Sequence, residues 1–338
     1  IRERRVSHVP LGELAAVAAA RALACAGVEA RALDLVVLGS TLADELCPNA
    51  ASGVARRLGA GHAGCVDLNS ACTSFLYGLS AATALVRTGA VRTALVIGAE
   101  VPSPFLDWDD RNTAVLFGDG CGAVVLEAAE REEGLLGERL GCFPEARGIL
   151  DIRGVGARYA NRGLPYGLTR WSFDGPEIFK RAVLGMAQAS GEALARCGLS
   201  AAQVDLCVPH QANRRIIDAV AKRAGVPEER VFVNVTRYGN MSAGTVPVAL
   251  CEAVEEGRVR PGATLLLPAF GAGLTWCAHV VRWGERTTPR AASAAELPPC
   301  PGTALELVQE LRERKARIRA AAQRFVDEAA PLLMGEGA

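Results

Sequence analysis

The strongest constraint on the fold is that the second half of the sequence repeats the first. The segment that starts at Cys25 (CAGVEARALDLVV) resembles the one that starts at Cys197 (CGLSAAQVDLCV). A second pair of segments, 87–92 and 255–260, follows in the same order at nearly the same interval. Chance similarity between alanine-rich segments does not explain two landmarks in the same order, so we predict an internal duplication.

Helices and strands alternate in both copies. Helices are predicted over 11–26, 49–58, 177–197 and 214–224. Strands are predicted over 35–38, 94–97, 204–208, 265–267 and 277–281. Residues 115–126 indicate a strand pair around a glycine-rich turn, and 131–175, rich in glycine and arginine, indicate loops. The alternation predicts an α/β fold whose sheets are largely covered.

Composition excludes several classes of protein. The 338 residues, half of them apolar, suit one large or two ordinary domains. The 37 basic and 37 acidic side chains balance, which gives no reason to expect nucleic acid or membrane as a partner. The 11 cysteines form no C-x-x-C pair or Cys/His cluster, which predicts reduced thiols in a cytoplasmic protein rather than a metal site or disulfides. No signal peptide or membrane span is visible, and because the chain opens on Ile1 we expect a missing start.

Cys72 lies where an extended segment runs into a helix that ends near Gly89. A thiol at a helix N-terminus sees the positive end of the helix dipole and free backbone N–H groups, and both favour the thiolate. Cysteines are also among the most often buried residues, so this segment alone leaves nucleophile and structural thiol open. Segments 87–92 and 255–260 are separated by a fixed number of residues, and counting the same number forward from Cys72 leads to Asn240. This predicts that Cys72 and Asn240 stand at equivalent helix starts in the two copies.

His210 stands at a third junction, between the strand ending at Val208 and the next helix. Taken alone, a histidine at this place is more often a capping or packing residue than a catalytic one. A cysteine, a histidine and an asparagine at three such junctions favour nucleophilic catalysis, in which developing negative charge needs donors. The glycine-rich turn 270–275 is able to bring backbone N–H groups close to a substrate.

Together these segments resemble the β-ketoacyl-acyl carrier protein synthase III family, which has the thiolase fold. The motifs match in order and spacing: SACTSF from Ser70, RNTAVLFGDG from Arg111, PHQAN from Pro209, YGNMSA from Tyr238 and FGAGLTW from Phe270. The resemblance implies a five-layer αβαβα fold from two duplicated halves, 1–165 (first strand apparently missing) and 166–284, followed by a linker and helix over 285–338. By analogy it also implies a homodimer.

The resemblance implies that Cys72 takes an acyl group from acyl-CoA as a thioester. Malonyl-acyl carrier protein then loses CO2, and its carbanion attacks the thioester to give 3-oxoacyl-acyl carrier protein. The Nε2–H of His210 and the amide of Asn240 are neutral donors that stabilise the enolate without being deprotonated by it. The backbone N–H groups of Cys72 and Ala272 would form the oxyanion hole, if the φ of Ala272 is negative. No metal or permanently bound cofactor is implied, and acyl-CoA is a substrate.

Three departures from the family are visible. The family carries an N-terminal stretch before the point where this chain begins, with a Trp/Arg pair that holds the CoA adenine. Of the positions that match this adenine clamp, only Arg111 is present. Ser74 replaces a common glycine. Cys47 stands where well-known members place a bulky aromatic that closes the partner subunit's acyl pocket, so we expect a medium-chain acyl-CoA primer rather than acetyl-CoA.

Two features remain outside the catalytic motifs. Basic residues on the helices that flank His210 match the family's docking region for the acidic carrier protein, although a solvated charged surface is the other interpretation. They are Lys180, Arg181, Arg214, Arg215, Lys222 and Arg223. After the linker 287–302, apolar residues alternate in steps of four and three, interrupted by Lys315. This pattern predicts an amphipathic helix that packs on the body or across a dimer.

Other functions fit less well. A true thiolase would carry a cysteine within 270–275, and related synthases use two histidines. A papain-like peptidase also orders Cys, His and Asn, but it needs no duplication. The alternative that stays open is a thiolase-fold protein without catalysis, or an acyltransferase to a hydroxyl or amine. Asn240 beside His210 argues against both, because simple transfer forms no enolate.

Overall fold

The structure is a computed structural model that describes residues 1–129, 133–160 and 169–334, with side chains up to residue 324. Its helices are α1 (Leu11–Ala26), α2 (Ala50–Leu58), α3 (Ser74–Arg87), α4 (Gly175–Arg196), α5 (Arg214–Ala224), α6 (Val235–Tyr238), α7 (Thr245–Glu255) and α8 (Ala304–Met334). Its strands are β1 (Leu35–Gly39), β2 (Gly64–Leu68), β3 (Thr93–Glu100), β4 (Gly120–Glu127), β5 (Gly134–Cys142), β6 (Leu150–Arg153), β7 (Arg170–Phe173), β8 (Leu206–Cys207), β9 (Thr264–Gly271) and β10 (Thr275–Arg282).

Local signals place the helix ends where the sequence predicts them. α1 and α5 end at Gly27 and Gly225, whose φ values of 69° and 74° lie in the left-handed region that favours glycine. α5 begins at Asn213, whose side chain accepts a hydrogen bond from the backbone N–H of Arg215. Both predicted helices are thereby confirmed to the residue.

Two sheets form the body. The first has the order β2-β1-β3-β4, with β1 parallel to β2 and β3, and β4 antiparallel to β3. The second has the order β8-β9-β10-β5, with β8 parallel to β9 and the other pairs antiparallel. α1 and α2 cover the first sheet, α3 and α7 pack between the sheets, and α4 and α5 cover the second. These five layers are the predicted αβαβα architecture.

The duplication is visible in matching elements. β3 and β9 have the same length, and the interval from Thr93 to Thr264 equals the interval from Ser74 to Thr245, where α3 and α7 begin. α3 has 14 residues and α7 has 11, so the interval is shorter at the ends of these helices, and it regains its earlier value where β3 and β9 begin. The predicted equivalence of Cys72 and Asn240 used the shorter interval and is therefore wrong. When the interval from Ser74 to Thr245 is used instead, the counterpart of Cys72 is Ala243, and the counterpart of Asn240 is Asn69.

Two loop and strand predictions are also wrong. Of residues 115–126 only β4 is a strand, and Phe117 makes a single bridge to Asn240. The segment 131–175, predicted as loops, contains β5, β6 and β7, while its residues 131–132 and 161–168 lie outside the described residues. β5 carries three glycines and no alternation, so its pairing with β10, and not its own side chains, makes it a strand. The chain thus enters the second sheet before residue 165, and the division there stays a prediction.

The tail forms the predicted helix. α8 packs on the body of its own chain, against the segment after β3. Within the described part of the chain, no helix combines the length and apolar character needed to cross a membrane.

Candidate active site

Cys72 lies in a single 3₁₀ turn (Ala71–Thr73) between β2 and α3. Ala71 has a φ of +54°, an unusual value for a residue with a side chain. The end of β9 approaches this turn closely, because a Cβ on Gly271 would lie 2.9 Å from the backbone N of Cys72. Glycine at 271 therefore allows the end of β9 in the second half of the molecule to lie against the N–H group of Cys72.

Asn240 is held by its backbone and by its own carbonyl oxygen. Its backbone N–H donates to the carbonyl of Leu116 at 2.8 Å, and its C=O accepts from Gly118 at 3.1 Å. Its Oδ1 accepts from the N–H of Ser242 at 2.8 Å. Since the oxygen is engaged in this turn, the amide nitrogen is the part of the side chain left to donate to a bound molecule.

His210 follows β8, where its N–H donates to the carbonyl of Pro268 at 2.8 Å. The residue is 3% exposed. Burial lowers the pKa of His210 to about 3, so the ring is neutral at physiological pH. One ring nitrogen, Nδ1, lies 2.5 Å from the hydroxyl oxygen of Thr245.

The Thr245 hydroxyl has two possible acceptors and one proton. It lies 2.5 Å from Nδ1 of His210 and 3.0 Å from the carbonyl oxygen of Ser242. If the hydroxyl donates to Nδ1, the ring proton is at Nε2, and if it donates to Ser242 the ring proton is at Nδ1. The direction of this bond decides whether Nε2 is a donor.

The three side chains line one cavity of about 650 Å³. Cys72, His210 and Asn240 come from the three junctions, and Ala272 lies beside them. The other walls are mostly apolar and include Leu116, Phe117, Leu150, Trp171, Phe173 and Ile178. Among the described residues only Ala71 and Ser242 combine a side chain with a positive φ, so Ala272 meets the condition set for the oxyanion hole.

The electrostatics of Cys72 differ from the expectation. Burial raises the pKa of the Cys72 thiol to about 11; the neighbouring Ser242 side chain lowers this pKa and the charge of Glu100 raises it. The thiolate favoured by a helix start is therefore not the resting form, because loss of water disfavours the charged state more.

Glu100 is a residue that sequence reasoning missed. It is 1% exposed, and its carboxylate accepts from the hydroxyls of Ser40 (2.7 Å) and Ser242 (2.8 Å) and from the N–H of Leu42 (2.8 Å). Burial raises its pKa, against these hydrogen bonds. An acidic residue at the end of the otherwise apolar stretch ALVIGAE was the available signal, since such a charge needs partners.

Two predicted residues do not enter the cavity of their own chain. Arg111 is exposed beside Asp110, and Cys47 is exposed at the surface. Neither lines the cavity. The described residues contain no group of three or more His, Cys, Asp or Glu side chains that could hold a metal ion.

The predicted docking residues differ in how far their charges are neutralised. Arg181 pairs with Glu145 at 2.5 Å, and Arg214 pairs with Asp218 at 2.7 Å and Glu228 at 2.6 Å. Lys180 is 75% exposed and contacts Glu177. Arg215 lines the cavity near Phe179, and Lys222 and Arg223 are exposed in the last turn of α5.

Comparison with known proteins agrees with this geometry. The family model described as 3-oxoacyl-acyl-carrier-protein (ACP) synthase III matches residues 66–143, and the model of its C-terminal part matches residues 194–283. A β-ketoacyl-acyl-carrier-protein synthase III 2 of Vibrio cholerae is 50% identical over 94% of this chain and 88% of its own length. A synthase III of Roseiflexus castenholzii is 45% identical over 84% of this chain and 87% of its own.

A solved structure shares the fold. The crystal structure of 3-oxoacyl-(acyl carrier protein) synthase III from Pseudomonas aeruginosa superposes with a TM-score of 0.78 at 38% identity, over 84% of this chain and 86% of that one. The resemblance found in the sequence motifs is thereby confirmed. The chain belongs to the 3-oxoacyl-acyl carrier protein synthase III family, the thiolase-fold acyltransferases that carry out the condensation reaction of fatty acid biosynthesis.

Proposed function

We propose that Cys72 carries the acyl primer and that His210 and Asn240 stabilise the enolate formed from malonyl-acyl carrier protein. The observation that supports this most is that three side chains from three separate junctions line one apolar cavity. An apolar cavity with a few convergent polar groups is the usual form of a small-molecule site.

In the first half-reaction, the sulfur of Cys72 attacks the thioester carbonyl of acyl-CoA. The C–S bond to CoA breaks, the proton that Cys72 loses goes to the CoA sulfur so that CoA leaves as its thiol, and the acyl group stays on Cys72. Negative charge on the carbonyl oxygen would be met by the N–H groups of Cys72 and Ala272. The close approach of Gly271 to the N of Cys72 supports this pairing of donors.

In the second half-reaction, the malonyl group loses CO2 and leaves an enolate on its thioester. The carbanion attacks the acyl carbonyl and expels the sulfur of Cys72. His210 is neutral because burial lowers its pKa to about 3, so it acts as a hydrogen-bond donor and not as a cation. We assign the Thr245 hydroxyl as donor to Nδ1, the shorter of its two contacts, which leaves the proton on Nε2.

The finer substrate assignments belong to the same proposal. A medium-chain acyl-CoA primer is supported by the small side chain of Cys47, which would reach across a homodimer, and by the apolar walls of the cavity. Arg111 would contact the CoA adenine. Carrier-protein docking rests mainly on Lys222 and Arg223, because Lys180, Arg181 and Arg214 are paired with acids. By analogy with the family, the enzyme would work in the cytoplasm.

The test is the intact mass of the protein after incubation with acetyl-, octanoyl- or malonyl-CoA, with Cys72→Ala as control. We expect an octanoyl adduct that the variant lacks, and CO2 release when malonyl-acyl carrier protein is added to the acylated enzyme. Acetyl-CoA kinetics far better than octanoyl-CoA kinetics would refute the medium-chain primer. Acyl transfer to a hydroxyl or amine without CO2 release would refute condensation.

A further inference from the structure

The tail helix α8 holds the segment after β3 through three basic side chains. Arg312 pairs with Asp109 at 2.5 Å, and Arg319 forms a hydrogen-bonded ion pair with Asp107. Between them, Nζ of Lys315 donates to the carbonyl oxygen of Leu106 at 3.1 Å. Lys315, which interrupts the apolar stripe of the helix, is thus the residue that reaches the backbone of the body.

These contacts lie on one side of the helix. Its partly buried positions recur at helical spacing, while the others with described side chains are exposed. The partly buried positions are Leu307, Val308, Leu311, Lys315 and Ala322. Arg314 points elsewhere, because it pairs with Glu310 of the same helix at 2.8 Å. α8 therefore has a defined docked side.

The segment held by α8 supports a wall of the cavity. The carbonyl oxygen of Phe105 accepts from the indole N–H of Trp171 at 3.0 Å and from the hydroxyl of Thr169 at 2.7 Å. Trp171 lines the cavity and packs on Phe117, with ring centroids 4.9 Å apart. The contacts of α8 to residues 106–109 thus adjoin the carbonyl that holds this indole.

We propose that α8 is a clamp on residues 103–111, and that Arg312, Lys315 and Arg319 are positioning residues for acyl-CoA binding. The clamp keeps the Phe105 carbonyl on Trp171, and so keeps the cavity wall in place, without touching the substrate. The match to the Vibrio cholerae protein covers 317 of the 338 residues, and the stretch from Ala304 onward is longer than the uncovered remainder, so the match extends into α8. The inference rests on the cavity being the acyl-CoA site, as proposed above.

The test compares two triple variants of the full chain. The first, Arg312→Ala/Lys315→Ala/Arg319→Ala, removes the three clamp contacts. The second, Arg314→Ala/Arg317→Ala/Arg324→Ala, removes three charges from other positions of the same helix and is the control. A conservative variant, Arg312→Lys/Arg319→Lys, retains the positive charges and should behave as the parent protein does.

Two readouts separate the clamp from the proposed function. Hydrogen exchange of the amides in 103–111 and 169–173 should speed up in the first variant and not in the control. The acyl-CoA concentration for half-maximal acylation of Cys72 should rise about fivefold or more, with the limiting rate within about twofold of the parent. Unchanged exchange overturns the clamp, and faster exchange with an unchanged half-maximal concentration overturns its role in binding. If the parent protein takes up no acyl group, the proposed function fails, and the exchange result still decides whether α8 holds the segment.

Discussion

The turns 69–74 and 240–245 share one backbone conformation but bring different side chains into the cavity. In each, an asparagine Oδ1 accepts from the N–H two residues later, at 3.1 Å in the first copy and 2.8 Å in the second. In each, that later residue has a positive φ, 54° at Ala71 and 48° at Ser242, before a helix begins. The first copy delivers Cys72 to the cavity, while the second delivers Asn240. The two copies of this turn thus present side chains from different positions, Cys72 and Asn240, to the same cavity.

The residue packed against each helix start differs in the same way. When Ser74 is aligned with Thr245, His210 corresponds to Gly39. A Cβ on Gly39 would lie 2.7 Å from the backbone carbon of Ser74, so the first half has no room for a side chain there. In the second half, the imidazole of His210 occupies the same place and is hydrogen-bonded to the Thr245 hydroxyl. In the first half, Gly39 therefore allows β1 to lie close to the start of α3. In the second half, the corresponding place has room for the side chain of His210.

Removing the thiol of Cys72 should have the largest effect. Cys72→Ala should abolish acylation and lower condensation by about four orders of magnitude or more. Decarboxylation of malonyl-acyl carrier protein should continue, because the second turn is intact. Product formation and CO2 release measure the two steps, with Cys65→Ala, a partly exposed thiol outside the cavity, as control. Equal loss in both variants would contradict the assignment.

Asn240→Ala should give the converse pattern. Loss of one donor to the enolate should lower condensation by about 100- to 1,000-fold. Acylation of Cys72, measured by intact mass, should proceed at the parent rate because the first turn is untouched. If Asn240→Ala slowed acylation as much as condensation, the assignment of acylation to the first turn and of enolate stabilisation to the second would be wrong.

Thr245→Val should have a smaller effect, since it acts through His210. Without the hydroxyl that donates to Nδ1, the ring is free to carry its proton on the wrong nitrogen, and condensation should fall roughly tenfold, the equivalent of about 1.4 kcal/mol. Thr245→Ser retains the hydroxyl and should restore most of the activity. Nitrogen NMR of the imidazole reports the tautomer directly. An unchanged tautomer in the valine variant would show that Thr245 does not set it.

Gly39→Ala tests the close approach in the first half. The added methyl group would meet the backbone of Ser74 and Phe75 at 2.7 and 2.8 Å, so the free energy of unfolding should fall by roughly 1–3 kcal/mol. Urea unfolding measures this value. The control is Gly53→Ala in α2, where a Cβ meets nothing within 4 Å and alanine favours the helix. Equal stability in both variants would mean that the layers separate easily at this point.

Local sequence patterns predicted the long helices well and the irregular strands badly. α1 and α5 have helical periodicity and caps within a few positions, so short-range physics determines their ends. β5 has no such signal, because it is a strand only by pairing with β10, which lies near the other end of the second half. The predicted equivalence of Cys72 and Asn240 failed for a related reason. It applied one fixed interval along the chain, whereas α3 and α7 differ in length, which the sequence pattern did not reveal.

Sequence motifs were enough to predict the duplication, the family and the candidate residues Cys72, His210 and Asn240, because each of these depends on short runs of neighbouring residues. The folded structure was needed to show that the three side chains line one cavity and that burial leaves the histidine neutral and the thiol protonated. It was also needed to show that Glu100 and Thr245 hydrogen-bond to Ser242 and His210. Likewise, only the fold revealed what Lys315 contacts. Burial and hydrogen-bond partners come from residues distant in the chain, so no local pattern can specify them.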